Sequence, residues 1–338
     1  MKILLIITRR HNNILKTEYT LENLGHEIKV VYADHYHVNC SYFAKKIDEL
    51  GLHRARDNYD RNIYDKVVEN INEHDIDKVL FVNYCLKKEW CHEFKKICRR
   101  NNIKLIGWMD DPLDINNYRD KYKSFYDKLF LYDLGDVNTI RRGGENVYFC
   151  PAGFNNDYKK NECNKVRDLI FVGSPYKQRM KFLNELARIA EMKGWTIEIY
   201  GPFFEEKKYF WKNIIRKLKY KYLFHHVYDV VYTSKEIARL YASSKICLNI
   251  YLDEQLGMNP RCYKIMATGS FLLMDARVNY GDFNVGNDFE TYGSISEAIN
   301  KIEFYLCNKE KRENIALHGN KHVQAYSMNS RMMRIVDS

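Results

Sequence analysis

Two segments of the sequence place basic side chains where a buried strand meets a helix. In residues 259–275, Asn259-Pro260-Arg261 begins a short helical pattern that stops at Gly269 and leads into an apolar strand. Free N–H groups and the dipole at a helix N-terminus attract anions, and an arginine can bind a diphosphate with two parallel hydrogen bonds. The segment therefore predicts a phosphate pocket that includes Asn259, Arg261 and Gly269. An ordinary helix-to-strand crossover with a surface arginine has the same pattern.

The second segment begins where an apolar strand ends at Gly173, and its helix opens with Lys177 and Arg179. A glycine lets a ligand approach the backbone, and the two cations have the charge to bind phosphate oxygens. Ser174 and Tyr176 lie in the turn between strand and helix. We expect both segments to contribute to one anion site, and surface charges on a strand-to-helix turn are the alternative.

Carboxylates occur at a comparable position nearer the N-terminus. Asp110 and Asp111 come directly after an apolar strand and precede Pro112. Of two carboxylates that face one cleft, one can acquire a raised pKa, which suits a general base for a hydroxyl group. His11, which follows the first strand, is a further candidate for the base. A turn at Asp-Asp-Pro and a phosphate-facing or surface role for His11 remain as alternatives.

Short β-rich runs alternate with helical patterns along the whole chain, and continuous apolar strands of this kind predict parallel sheets covered on both faces. Strands are predicted at residues 2–7, 27–32, 78–83, 104–108, 128–132, 147–150, 168–172, 196–200, 246–250 and 271–274. Helices are predicted at residues 15–24, 87–100, 177–193, 234–242 and 296–306.

The chain has 338 residues, which fits two domains better than one. Pro151 and Gly153 open a segment without apolar periodicity, which marks a domain boundary. We predict two doubly wound, Rossmann-like α/β domains, at residues 1–153 and 154–318, that face a cleft. A C-terminal helix within 319–338 is expected to pack back toward the first domain. Ligands of such folds bind at the carboxyl ends of the strands.

Composition and missing motifs exclude several classes of protein. No glycine fingerprint for a dinucleotide and no P-loop occurs, which disfavours a redox enzyme and a P-loop NTPase. No apolar run is long enough to span a membrane, and nine cysteines without repeated pairing favour reduced thiols in a cytoplasmic protein. No cysteine or histidine spacing matches a zinc site, so we predict no metal.

The net charge of +10 is concentrated in one segment, residues 207–226, where lysines and arginines alternate with aromatic and aliphatic side chains. Such a helix can pack its apolar face inward, lie on an anionic membrane surface, or grip a nucleic acid backbone. The sequence leaves these three alternatives open, with nucleic acid the least favoured.

Taken in order along nearly the whole chain, these motifs resemble the spore-maturation CgeB-like branch of the group 1 glycosyltransferases, whose architecture of two Rossmann-like domains is called GT-B. The resemblance rests on Asp110-Asp111-Pro112, on the turn from Val172 to Arg179, and on residues 244–250, 257–261, 267–273 and 308–316.

The resemblance implies transfer of a sugar from a nucleotide-sugar donor, UDP- or GDP-linked, to a glycan, lipid-linked or protein acceptor. The C-terminal domain would hold the donor and the N-terminal domain the acceptor. Gly173, Arg179 and Arg261 would bind the diphosphate without a metal, because no Asp-x-Asp lies near either site. Lys264 stands where related enzymes usually carry a glutamate that binds the donor ribose, and a charged lysine cannot accept a hydrogen bond from a hydroxyl.

A more distant likeness to phage DNA β-glucosyltransferases places Asp110 at the position of their general base. Two alternatives to the main interpretation follow. One is an enzyme that modifies DNA, for which the positive charge would serve to bind phosphates. The other is a nucleotide-sugar-binding protein that has lost catalysis, with Lys264 as its sign.

Overall fold

The computed structural model describes residues 1–34, 36, 41, 46, 48, 50–51, 53–110, 124–141, 146–160, 163–204, 210–228, 232–251 and 257–338. The chain divides into two compact units. The first unit comprises Met1–Ala152 together with Met328–Ser338, and the second comprises Gly153–Ser327. The first division falls next to the boundary that the sequence places after residue 153.

The first unit alternates strands and helices. Its strands are β1 (Lys2–Ile7), β2 (Glu27–Tyr32), β3 (Lys78–Val82), β4 (Lys104–Met109), β5 (Lys128–Leu131) and β6 (Val147–Phe149). The helices up to residue 141 whose bounds the described residues define are α1 (Arg9–Leu15), α2 (Thr17–Asn23), α3 (Arg54–Glu73), α4 (Lys88–Arg100) and α5 (Leu134–Arg141). The six strands form one parallel sheet in the order β2-β1-β3-β4-β5-β6.

The second unit repeats this architecture. Its strands are β7 (Arg167–Val172), β8 (Ile197–Tyr200), β9 (Val227–Tyr228), β10 (Ser244–Asn249), β11 (Leu272–Asp275) and β12 (Glu290–Tyr292). Its helices are α6 (Lys177–Lys193), α7 (Phe210–Lys219), α8 (Lys221–His225), α9 (Ser234–Ala242), α10 (Pro260–Ala267), α11 (Ile295–Cys307) and α12 (Lys309–Val323). The sheet is parallel and has the order β12-β11-β10-β7-β8-β9.

Continuous apolar sequence explains why the strands are buried on both faces. Side chains of β1 alternate between two clusters, since Leu4 and Ile6 pack with α3 and α4 while Ile3 and Leu5 pack on the opposite face. In the second unit, Leu169 and Phe171 of β7 pack with α6 and α11. The prediction of two α/β units with parallel, doubly covered sheets is therefore confirmed.

The last helix, α13 (Met328–Val336), belongs to the first unit. Met328, Met332 and Ile335 of this helix are buried in the cluster that contains Ile3 and Leu5. Residues 319–327, which the sequence grouped with this helix, lie in the second unit and include the end of α12. None of the described helices combines the length and the hydrophobicity that a bilayer-spanning segment requires.

Candidate functional site

The candidate site lies at the carboxyl edge of the second sheet, between β7 and β10. The strand order reverses there, because the chain continues from β7 toward β9 on one side and from β10 toward β12 on the other. The loops that leave two such strands diverge and open a crevice, which is where ligands of doubly wound sheets bind. Gly173 follows β7 and Asn249 ends β10, so both predicted segments reach this crevice.

Arg261 is held in the crevice by the N-terminus of α10. Asn259 caps the helix, since its side chain accepts a hydrogen bond from the Arg261 backbone N–H at 3.1 Å, and Pro260 begins the helix. The Arg261 guanidinium donates through Nη1 to Oδ1 of Asn249 at 2.6 Å. Asn249 is fully buried and donates in turn to Oδ1 of Asn259 at 3.0 Å. Two buried amides therefore fix the direction of the arginine.

Arg179 enters the same crevice from α6 and is only 4% exposed. Its Nε donates to the Ile250 carbonyl at 2.6 Å, and its Nη1 lies 3.4 Å from the Ser174 carbonyl. Its guanidinium lies 5.0 Å from the ring centre of Tyr176. These contacts tie the end of β10 to the turn after β7 through one side chain.

The two arginines lie close enough to repel one another. Both guanidinium groups lie over the ring of Phe171, Arg261 at 5.3 Å and Arg179 at 5.9 Å from its centre. Burial, and then the charge of Arg261, lowers the pKa of Arg179 to about 10. Neither arginine forms an ion pair with a carboxylate of the described residues. A bound anion would relieve both the repulsion and the lost hydration.

Gly173 is a glycine because Arg261 and Phe171 occupy the space that a side chain would need. A Cβ atom there would lie 2.7 Å from Nη2 of Arg261 and 2.9 Å from the Phe171 ring. The Gly173 N–H donates to the Tyr200 carbonyl, which extends the β7–β8 pairing to the rim of the crevice. Ser174, Tyr176 and Lys177 follow as exposed residues, and Tyr176 contributes no side-chain cap to α6.

Lys264 lies one turn after Arg261 on α10 and is partly buried. Its ammonium group lies 5.5 Å from the ring centre of Tyr158, whose pKa burial raises to about 12. The charge of Arg261 also acts on Tyr158. Lys264 therefore lies on the same helix as Arg261, and its ammonium group can donate hydrogen bonds but not accept them.

Gly269 is not part of this site, so its assignment to the anion pocket is corrected. Helix α10 has eight residues and runs about 12 Å from the carboxyl edge of the sheet back toward the amino edge. Gly269 follows the helix with φ of 72°, next to the side chain of Lys160, and precedes β11. The glycine ends the helix, as left-handed residues commonly do.

In the first unit, Asp110 comes directly after β4 at the carboxyl edge and is 8% exposed. Its backbone N–H donates to Oδ1 of Asn83 at 2.7 Å, and Asn83 follows β3. Asn83 has a left-handed backbone, with φ of 48°, and its own N–H donates to the Trp108 carbonyl. This local geometry fixes the position of Asp110. Asp111 lies outside the described residues.

His11 lies in the first turns of α1 at the same edge, with β3 between its strand and that of Asp110. Its Nδ1 is 2.8 Å from the Thr8 hydroxyl, which also accepts the His11 N–H. The neighbouring Arg9 forms an ion pair with the buried Asp34 and lies over the Tyr32 ring. The structure thus brings His11 and Asp110 to one edge, where Arg9 already has a carboxylate partner.

Two residues of the site were not singled out from the sequence. Asn249 orients Arg261. The sequence feature that could have indicated Asn249 is a polar amide side chain at the end of the apolar run Ile246-Cys247-Leu248. Gly201, after β8, has φ of 145°, and a Cβ there would collide with the Gly173 carbonyl. No group of three or more His, Cys, Asp or Glu side chains able to hold a metal occurs among the described residues.

Comparisons with known proteins place this geometry in a known architecture. Residues 178–337 match the model of the family described as Glycosyl transferase-like, a range that contains Arg179, Asn249, Arg261 and Lys264. No curated protein matches the chain in sequence.

Solved structures are similar over the whole chain at low sequence identity. Alr3699/HepE from Anabaena, in complex with UDP-glucose, matches with a TM-score of 0.69 and 13% identity, over 100% of this chain and 98% of that one. Sucrose-phosphate synthase from Thermosynechococcus elongatus gives a TM-score of 0.69 at 10% identity, over 100% and 98%. A glycosyltransferase from Rickettsia africae gives 0.67 at 13% identity, over 99% and 97%. The chain therefore has the fold of two Rossmann-like domains known as GT-B.

Proposed function

We propose that this protein is a glycosyltransferase that uses a nucleotide-sugar donor and requires no metal. The observation that carries the proposal is the pair of arginines, Arg179 and Arg261, that converge on one crevice without carboxylate partners among the described residues. A diphosphate is a ligand of matching charge, and two fixed guanidinium groups can stabilise the negative charge that develops on a nucleoside diphosphate leaving group. The family match over residues 178–337 and the complex of HepE with UDP-glucose support this assignment.

In this proposal the second unit holds the donor. Gly173 lets the diphosphate approach the backbone, and the N–H groups at the start of α6 and α10 face the same crevice as Arg179 and Arg261. Lys264 would contact the donor as a cation, in place of the ribose-binding glutamate of the resembling enzymes. The nucleotide is UDP or GDP, and the CgeB-like branch is the nearest family assignment that the motifs support.

The first unit would hold the acceptor and supply the base. Asp110 is the best-placed carboxylate, because it is buried at the strand edge and positioned by Asn83. Two other buried carboxylates of the described residues lie at this edge. Asp34 forms an ion pair with Arg9, and Asp133 accepts a hydrogen bond from a backbone N–H at the start of α5. Asp110 would take the proton of the acceptor hydroxyl as that oxygen bonds the anomeric carbon and the bond from this carbon to the nucleoside diphosphate breaks, a single displacement that inverts the anomeric configuration.

The function is tested by incubating the purified full chain with UDP- and GDP-linked sugars. We expect saturable binding of one donor and slow release of its free sugar by hydrolysis, both without added divalent metal and in the presence of a chelator. Donor binding without any turnover, with glycan and lipid-linked acceptors included, would favour a protein that has lost catalysis. Failure to bind any nucleotide sugar would contradict the proposal.

A peripheral contact with the inner face of an anionic membrane is the second part of the proposal. Ile215 and Leu218 lie on one face of α7 and are 65% and 74% exposed. Hydrogen bonds from the opposite face of α7 attach the helix to the rest of the unit: Asn213 donates to the Phe204 carbonyl, and Arg216 donates to the Phe203 carbonyl. Two side chains of the apolar segment that the sequence allowed to pack inward, Ile215 and Leu218, therefore face away from the core.

Lysines lie in the same segment as these exposed aliphatic side chains. Lys217 lies 4.4 Å from the ring centre of Phe224, itself 39% exposed, while Lys219 and Lys221 flank the junction of α7 and α8. Exposed aliphatic residues among lysines match the acyl chains and headgroups at an anionic bilayer surface. Such a contact favours a lipid-linked acceptor.

Vesicle sedimentation tests the contact. The chain should sediment with vesicles that contain phosphatidylglycerol and not with pure phosphatidylcholine, and Ile215→Asp with Leu218→Asp should abolish this. Val166→Asp with Val278→Asp is the matched control, because both valines are exposed elsewhere on the same unit. Equal losses in the two variants would contradict the contact, as would retention by duplex DNA together with indifference to vesicles.

A further inference from the structure

A second basic cavity lies at the opposite, amino edge of the second sheet. Its volume is about 540 Å³, and its wall includes Lys165 before β7, Lys245 in β10 and Gly269 before β11. Helix α12 closes one side with residues from Arg312 to Asn320. Gly269, which the sequence assigned to the pocket at Arg261, therefore lines a different cavity on the far side of the sheet.

Four cations line this cavity: Lys160, Lys165, Lys245 and Arg312. Lys245 is paired with Asp168 at 2.7 Å, and the lining carboxylate Glu313 is within 3.8 Å of Lys309. The other three cations form no ion pair with any residue that the structure describes. The lining residues that the structure describes therefore carry an excess of positive charge.

Arg312 distinguishes this cluster from ordinary surface lysines. It is 4% exposed, and its Nη1 donates to the Tyr305 and Leu306 carbonyls, which carry no compensating charge. Lys165 donates to the Ala242 carbonyl at 2.7 Å. Desolvation lowers the pKa of Lys165, and the charge of Arg312 lowers it further. Folding thus confines two cations that repel each other at the wall of an open cavity, an arrangement that an anion would stabilise.

The size of the cavity limits the ligand to a small molecule. A volume of about 540 Å³ lies within the range of pockets that bind nucleotides and other metabolites. Several cations in one pocket match a group with more than one negative charge, and arginine and lysine are the usual partners of phosphate. We propose that this cavity is a second ligand site, which binds a phosphate-bearing small molecule.

The second site is independent of the donor site. Strand β7 has six residues, so its two ends are about 20 Å apart, and one ligand cannot occupy both edges. Gly269 has a direct role here, because a Cβ at this position would lie 3.0 Å from Cγ of Lys160. Binding at the amino-edge cavity can therefore be tested independently of the proposed glycosyltransferase activity.

The test uses inorganic pyrophosphate as the probe and isothermal titration of the full chain. The background variant Arg261→Ala weakens binding at the donor site, so that binding lost on further substitution at the amino edge reports on the second cavity. We expect saturable binding in this background, and about tenfold weaker binding when Lys160→Gln and Lys165→Gln are added. Lys181→Gln with Lys235→Gln is the matched control, because both lysines are exposed elsewhere on the unit and the change in net charge is the same.

A second variant, Asn314→Asp, places a carboxylate in the lining without a change of size and should also weaken binding about tenfold. Repeating the titration with ATP identifies the ligand class: tighter binding than pyrophosphate indicates a nucleotide, and equal binding indicates the phosphate group alone. Absence of saturable binding in the Arg261→Ala background would overturn the proposal. Equal affinities in the Lys160/Lys165 variant and the control pair would also overturn it.

Discussion

Different side chains follow the strands at the carboxyl edges of the two sheets, although both units have six parallel strands. In the first unit, buried carboxylates follow three strands: Asp34 after β2, Asp110 after β4 and Asp133 after β5. In the second unit, Arg179 and Arg261 occupy the crevice between β7 and β10. One architecture thus presents buried carboxylates in one unit and a pair of arginines in the other, according to the residues that follow its strands.

Asp110 and Arg261 are each positioned by a hydrogen bond to an asparagine side chain, but through different groups. Asp110 is positioned through its backbone N–H, by the amide of Asn83. Arg261 is positioned through its guanidinium, by the amide of Asn249. In both units a buried asparagine at the end of a neighbouring strand fixes the proposed site residue. Substitutions in the first unit should therefore change the rate of transfer, and those in the second should change donor affinity.

The largest effect is expected for Asp110→Asn. Loss of the base should lower the rate of transfer by about 10²–10⁴-fold, and the dissociation constant for UDP should remain unchanged. Rates are measured as release of UDP with saturating donor. Asp133→Asn is the control: its amide oxygen can still accept from the Gly135 N–H, so stability and rate should both change little. A rate for Asp110→Asn within threefold of the parent would remove Asp110 from catalysis.

Arg261→Ala should weaken UDP binding by about 100-fold, because it deletes a guanidinium that can form two charge-assisted hydrogen bonds with a diphosphate. The dissociation constant is measured by isothermal titration. Arg9→Ala is the matched control, since Arg9 is an arginine at the carboxyl edge of the first sheet and is already paired with Asp34. Comparable losses in the two variants would mean that the donor pocket is misplaced.

Asn249→Asp should weaken UDP binding about tenfold without a change in side-chain size. The new carboxylate would form an ion pair with Arg261 at the present hydrogen-bond position, 2.6 Å from Nη1, and would repel the diphosphate. Asn83→Asp makes the same change beside Asp110 and should leave the UDP dissociation constant unaltered. Tighter UDP binding in Asn249→Asp would contradict the account.

The smallest effect on UDP affinity is expected when a methyl group is added at Gly173, and the same change at Gly107 serves as its control. Gly173→Ala would displace the Arg261 guanidinium, and we expect UDP binding to weaken several-fold and the free energy of unfolding to fall by roughly 1–3 kcal/mol. Gly107→Ala in the first unit places a Cβ 2.9 Å from the Tyr126 ring. It should cost similar stability, measured by urea denaturation, and leave UDP affinity intact. Equal effects on affinity would show that the Gly173 contact has no bearing on the site.

Sequence patterns predicted the strands well, because apolar runs buried on both faces have little alternative. The bounds of β1 and β2 agree residue for residue with the prediction, and so does α6, from Lys177 to Lys193. The pattern failed after β1, where one helix at 15–24 was expected. Two helices occur instead, separated by Lys16 with φ of 58°, and no glycine signals this break.

The candidate site was predictable only in part. Arg179 and Arg261 could be predicted from the sequence, because each lies near the start of a helix that follows a strand. Asn249 was not, because its role depends on a hydrogen bond to a residue twelve positions away, made only when β10 and α10 are packed. Gly269 was misassigned because it lies only eight residues after Arg261 in the sequence. Helix α10 lies between the two residues and places them at opposite edges of the sheet.

The central claim is that Arg179 and Arg261 bind the donor diphosphate, and a crystal structure of the full chain with bound UDP-glucose tests it most directly. The account predicts diphosphate oxygens at about 3 Å from the guanidinium groups of both arginines, beside Gly173. A diphosphate bound elsewhere, such as in the cavity beside Lys160, with both arginines in contact only with protein, would contradict it.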